Sequence, residues 1–148
     1  MLAVWIGHAS RTNVATSFQL LASSYRCDTI ETMFRYRNLR VYQEAIQFHR
    51  LMVLLTKKFP HEFDYLRNQV RRSSLSVALN VAEGSAKNSD KDFNRYIGIS
   101  LGSINESMAS CEVALVESLI SKSEFEKAEQ AAENLTNQLG SFSKKLKQ

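Results

Sequence analysis

The chain has 148 residues, 44% of them hydrophobic, with five glycines, one proline and a formal charge of +4. This suits one domain with a substantial core and excludes a loop-rich or all-β protein, for which the breakers are too few. Cys27 and Cys111 lie far apart, which excludes a disulfide framework or a zinc pattern, and no apolar run reaches the length of a membrane span. A reducing cytoplasm is the expected compartment.

Residues 1–32, "MLAVWIGHASRTNVATSFQLLASSYRCDTIET", lack the amphipathic period of everything that follows. They have no basic segment ahead of the apolar start, so they do not read as a signal peptide. We expect an unstructured leader or a mis-assigned start upstream of Met33, with the folded domain covering 33–148. The charge is uneven: residues 33–72 carry nine lysines and arginines against Glu44, Glu62 and Asp64. Such a half can attract polyanions, although solvated helix faces are often this charged.

From Leu39 onward, apolar positions alternate in steps of three and four through Tyr42, Ile46, His49, Val53 and Thr56, which predicts an amphipathic first helix. A second stripe, Val41, Ala45, Phe48, Met52 and Leu55, has the same spacing, one more than a simple bundle helix needs. Phe59-Pro60 ends this helix, because proline disfavours helical geometry in the residue before it. The second helix opens near 60–64, where Glu62 and Asp64 suit the positive end of the helix dipole. Its stripe is Leu66, Val70, Ser73, Val77 and Val81, with Gly84 as the expected C-terminal cap.

The third helix opens at "SDKD", where Ser89 caps and Asp92 completes an acidic capping box. Its stripe, Phe93, Ile97, Leu101, Ile104, Met108, Cys111 and Leu115, is the cleanest in the chain. The fourth opens at "SEFE", with Ser123 and Glu126 as the expected capping box. It continues through Phe125, Ala128, Ala132, Leu135, Leu139, Phe142 and Leu146. Short connections between long helices predict an all-α, antiparallel up-down four-helix bundle.

The segments "FRYRNLRVYQEA", "FPHEFDYLRNQVRRSSLSVALNVAEG" and "DFNRYIGISLGSINESMASCEVA" resemble the four-helix bundle family encoded in 23S rRNA intervening sequences. The likeness runs from about 34 to about 147. Its most specific elements are Phe59-Pro60, Glu62, Leu66, Gln69, Arg72, Asn80, Ala82-Glu83-Gly84 and the run from Gly102-Ser103 to Glu106. One departure is Arg72-Ser73, where the family commonly has Arg-Ala, and this is expected to loosen packing slightly. The resemblance implies a small bacterial protein that assembles as a homo-oligomeric ring, a homopentamer, with no established enzymatic activity. A bundle similar in fold, the accessory variability determinant of diversity-generating retroelements, binds nucleic acid and a reverse transcriptase.

Asn80 and Glu83 share a face of the second helix, and Ser103 and Glu106 form a like pair on the third. Folding those helices into a hairpin brings Arg72 within a turn of Glu106 and Glu83 near Lys91 and Arg95. We read Arg72, Asn80, Glu83, Ser103 and Glu106 as a polar clasp between helices, with Gly98 and Gly102 permitting close approach. A catalytic reading needs a nucleophile, an oxyanion site or a metal beside these carboxylates, and none is legible. The histidines form no Glu-x-x-His pair. His49 is expected to be a core or interface histidine with one hydrogen bond, and Cys111 a small buried hydrophobe. No metal or cofactor is expected.

In "RYRNLRVY", Arg35, Arg37 and Arg40 can meet phosphates while Tyr36 offers a stacking platform. Equally, Tyr36 and Tyr42 can pack inward and leave the arginines in water, and the residues alone leave both readings open. Two function classes follow. The first is a non-enzymatic oligomeric protein that binds rRNA or another structured nucleic acid. The second is a scaffold for an acidic protein partner. For the ring, the second stripe of the first helix, with Val41, Phe48, Met52 and Leu55, is the expected subunit contact.

Overall fold

The computed structural model describes residues 34–147; the expected leader, 1–32, lies outside them. A short 3-10 turn, Arg35–Asn38, leads into four α-helices: α1, Arg40–Leu55; α2, Asp64–Ser85; α3, Asp90–Val116; and α4, Lys122–Lys145. No strand occurs among the described residues.

Each corner is fixed by local chemistry. After α1 the chain makes a 3-10 turn, Thr56–Lys58, and Phe59 is extended (φ −63°, ψ 135°) ahead of Pro60. Two arginines of α2 then tie this corner down. Arg67 donates to the Asp64 carboxylate and to the Phe59 carbonyl. Arg71 donates from Nε to Thr56 Oγ1 (2.9 Å) and from Nη2 to the Val53 carbonyl (3.5 Å), in the last turn of α1.

The turn from α2 to α3 differs from its expected form. α2 runs on to Ser85, and Gly84 is helical rather than a left-handed cap. Its value lies in what it lacks: a Cβ there would fall 2.5 Å from Phe93 Cδ2 and 2.8 Å from Tyr96 Cβ. Gly98 and Gly102, expected to let the helices approach, do no such thing, since a Cβ on either meets nothing within 4 Å. Ser89 caps α3 as expected, accepting from the Asp92 N–H at 3.1 Å.

α3 ends in a Schellman motif: the Leu119 N–H donates to the Ala114 carbonyl (2.9 Å) and the Ser118 N–H to the Leu115 carbonyl (3.0 Å). Ser118 takes the left-handed conformation this motif requires, at φ 58°. The capping box of α4 uses Ser121 and Glu124, two residues before the expected Ser123 and Glu126. "SKSEFE" contains both matches, and burial decides between them. With Ser121 as cap, Ile120 before it and Phe125 four residues after it both enter the core, the placement of a hydrophobic staple. With Ser123 as cap, charged Lys122 would occupy the first of those positions.

The second stripe of α1 is the main correction. Val41, Ala45, Phe48, Met52 and Leu55 all lie inside the chain's own core, at 0–7% exposure, and cannot be a subunit contact. α1 packs against α2 on one side and α4 on the other, so it needs a wide apolar arc rather than one narrow line. The two stripes are adjacent parts of that arc.

Candidate nucleic-acid interface and the polar seam

The entry segment packs its aromatics on one another. Tyr36 stacks edge-on against Tyr42 (centroids 4.7 Å apart) and is half-buried. The Arg37 guanidinium lies 4.6 Å over the Phe34 ring, and Gln43 Nε2 donates to the Arg37 carbonyl at 3.0 Å. Arg35, Arg37 and Arg40 are exposed. Among the described residues, no carboxylate pairs with Arg35 or Arg37, and Arg40 meets Glu44 only at 3.9 Å with its side chain 83% exposed. Such a surface pair holds the arginine weakly.

The rest of the basic first half is partly spoken for. Arg67 and Arg71 hold the α1–α2 corner, and Lys58 Nζ donates to both Glu124 oxygens at 2.8 and 2.7 Å. These bonds, with those from Ser121, bring the Glu124 carboxyl down to about 2.

Beside Arg40, the start of α1 and the end of α4 flank a cleft of about 410 Å³. It is lined by Leu39, Arg40, Val41, Asn137, Gln138, Ser141, Phe142 and Lys145. Lys144 and Lys145 add cations to the last turn of α4. Periodicity could not single out Asn137, Gln138 or Ser141, because they flank the apolar stripe as any solvated position does. The lysines near the C-terminus were the one signal that more cations gather at this end.

The predicted clasp residues are distributed along a seam between α2 and α3, with different partners from those expected. Arg72 is exposed and Glu106 is instead bonded by Gln69 Nε2. The sequence spacing was right to within one helical turn, but Gln69, three residues earlier, faces α3 while Arg72 faces water. Farther along, Ser73 Oγ and Ser107 Oγ are 2.8 Å apart. Next come Ser76 Oγ and Ser103 Oγ at 3.0 Å. Asn80 Nδ2 donates within α2, to Ser76 Oγ and the Ser76 carbonyl, rather than across the seam.

At the far end the Tyr96 hydroxyl donates to Glu83 at 2.7 Å, and Lys87 donates to the same oxygen at 3.2 Å. The Tyr96 hydrogen bond first, then Lys87, holds the Glu83 carboxyl below its usual range. Ser73, the departure from the family pattern, loosens nothing: it is 2% exposed and hydrogen-bonded.

His49 Nδ1 lies 2.9 Å from Ser74 Oγ, the single hydrogen bond expected of it. Burial, with the charge of Arg71, lowers its pKa. Cys111 is buried beside Met52 (Sγ to Sδ 3.7 Å), and burial pushes its thiol up to about 12. Among the described residues, no three His, Cys, Asp or Glu side chains gather as a metal ion would need. No helix among them is long and apolar enough to cross a membrane.

The four helices and their polar seam define a small all-helical protein. Residues 37–141 match the 23S rRNA-intervening sequence protein family, and the chain belongs to it. Among solved structures it is similar to a protein with unknown function from the S23 ribosomal protein family of Bacteroides thetaiotaomicron. The two share 24% identity at a TM-score of 0.65, over 70% of this chain and 98% of that one, a likeness of fold. No curated protein matches the chain.

Proposed function

We propose that the chain is a non-enzymatic nucleic-acid-binding protein, an up-down bundle that assembles into a homo-oligomeric ring, five-membered as the family resemblance implies. Its target is rRNA or another structured nucleic acid, met by Arg35, Arg37 and Arg40. The observation that carries this is the contrast among the arginines: Arg67 and Arg71 are consumed by the fold, while Arg35 and Arg37 are exposed and have no carboxylate partner among the described residues. Arginines held this way are suited to phosphate. Tyr36, half-buried and packed edge-on against Tyr42, supports the segment.

A ring needs apolar surface outside the core. Leu75 and Leu79 on α2, with Ile99, Val113 and Val116 on α3, are exposed and meet that need. They replace the α1 stripe as the subunit contact.

The test is a fluorescence-anisotropy titration of labelled RNA at several salt concentrations, with polyglutamate as the acidic control and light scattering on the same sample. Binding to RNA that weakens steeply with salt, without binding to polyglutamate, is expected. Binding to polyglutamate and not to RNA would replace this reading with a scaffold for an acidic protein. A monomer at micromolar concentration would remove the ring.

A further inference from the structure

The cleft between the start of α1 and the end of α4 brings together three kinds of chemistry. Its apolar lining includes Val41 and the aromatic Phe142. Asn137 and Gln138 line it too, and each amide carries a donor and an acceptor. Among the described residues, Arg40 and Lys145 are its charged ones, and no carboxylate lines it. The backbone adds to this field. Leu39, the residue capping α1, has no side chain able to hold the first N–H groups, and no acidic residue occupies the first turn. Among the described residues, nothing in the cap or first turn compensates the positive end of the α1 dipole beside Arg40.

We propose that this cleft seats one splayed-out nucleotide of a single-stranded RNA segment, with its base on the half-buried Leu39 and Phe142 side and its phosphate toward Arg40 and Lys145. The volume, about 410 Å³, falls within the range of small-molecule sites. A simple anion needs only the cations, and the carboxylates of an acidic peptide need donors alone. The paired amides suit a ligand edge that alternates donor and acceptor, as a base edge does. The cleft adjoins Arg40, so one strand can cross from the exposed Arg35 and Arg37 into it. This inference rests on the nucleic-acid reading above and narrows it to unpaired RNA at a stated site.

The experiment uses the full chain and two labelled RNAs of random sequence, a ten-nucleotide single strand and a blunt duplex, read by anisotropy across a salt series. Asn137→Ala with Gln138→Ala is expected to weaken the single strand roughly tenfold and leave its salt slope and the duplex unchanged. Lys145→Gln is expected to weaken both RNAs and lower the salt slope by about one phosphate contact. Asn137 is exposed and Gln138 half-buried, and melting curves check that the variants fold.

A 4-thiouridine placed in the single strand is expected to crosslink to the cleft residues of α1 and α4. Wild-type single-strand affinity in the Asn137/Gln138 variant, with loss in Arg35→Ala/Arg37→Ala, overturns the cleft and keeps the nucleic-acid reading. Failure of the unaltered protein to bind either RNA overturns both.

Discussion

The α2–α3 pair meets through serines and a glycine, whereas the α1–α4 pair meets through leucines and phenylalanines, and the two pairs leave different surfaces. Along α2–α3, Ser73, Ser76, Ser103 and Ser107 bond across the interface while Gly84 lets Phe93 and Tyr96 press against the α2 backbone. Small side chains bring helix axes together, and the groove beside this seam, lined by Arg72, Leu75, Ser76, Leu79, Asn80 and Glu83, is smaller than the α1–α4 cleft, at about 270 Å³. The hydroxyls of Ser73, Ser103 and Ser107 also have acceptors on their own helix, as Ser107 has the Ser103 carbonyl at 2.9 Å, so burial leaves them satisfied. Along α1–α4, Phe48 and Leu135 fill the middle, the Lys58–Glu124 pair fastens one end, and the other opens into the cleft. Close packing makes the first seam structural; the second leaves an open cleft at one end.

The largest expected effect comes from the bulky seam. Phe48 is 2% exposed, and Phe48→Ala should cost about 3–5 kcal/mol in denaturant unfolding, because a large side chain leaves a cavity that the helices only partly close. Were Phe48 a subunit contact, the variant would instead dissociate with its helices intact. Light scattering beside circular dichroism separates the two outcomes.

The close seam is tested by adding atoms. Gly84→Val should cost about 1–3 kcal/mol, because the Phe93 ring can swing aside but Tyr96 Cβ is tied to its backbone. Gly98→Ala should act in the opposite direction, gaining up to about 1 kcal/mol from helix propensity with nothing nearby to clash. If both glycines respond alike, the distinction between a packed and an open position fails.

Much of this was legible in the sequence. The three-and-four spacing placed all four helices, and Ser89 and Pro60 marked their bounds. The stripes could not say how many neighbours a helix has, and so the Phe48 line of α1 was read as outward. Nor could spacing choose between Gln69 and Arg72 as the partner of Glu106, since both lie within a helical turn of the right height. The cleft is not legible for a further reason: it depends on how two helix ends remote in sequence come side by side, which no local pattern encodes.

A smaller effect should appear with pH at His49, which joins α1 to α2. Burial and Arg71 keep its folded pKa below the ordinary 6.5. The unfolded chain therefore takes up a proton near that pH that the folded chain resists. His49 costs no stability above 6.5, and stability falls as the pH drops from there through the folded value. Melting temperature should decline between pH 7 and 5 in the unaltered protein, and less steeply in His49→Gln. Parallel curves would show that His49 does not couple folding to protons.

The smallest effect should come from Arg72→Ala, and its size decides what the α2–α3 seam is made of. An ion pair to a buried Glu106 would make the loss of Arg72 cost several times what a surface change costs, by leaving a carboxylate without its counter-charge. In the fold Arg72 is exposed, Glu106 is exposed too, and Gln69 supplies the carboxylate's hydrogen bond. Arg72→Ala should therefore stay within about 0.5 kcal/mol of the parent in urea unfolding. Gln69→Ala should cost somewhat more, up to about 1 kcal/mol, because it removes a bond that crosses between helices at a solvated site. The reverse order, with Arg72 costlier than Gln69, would mean that the seam is clasped by charge after all.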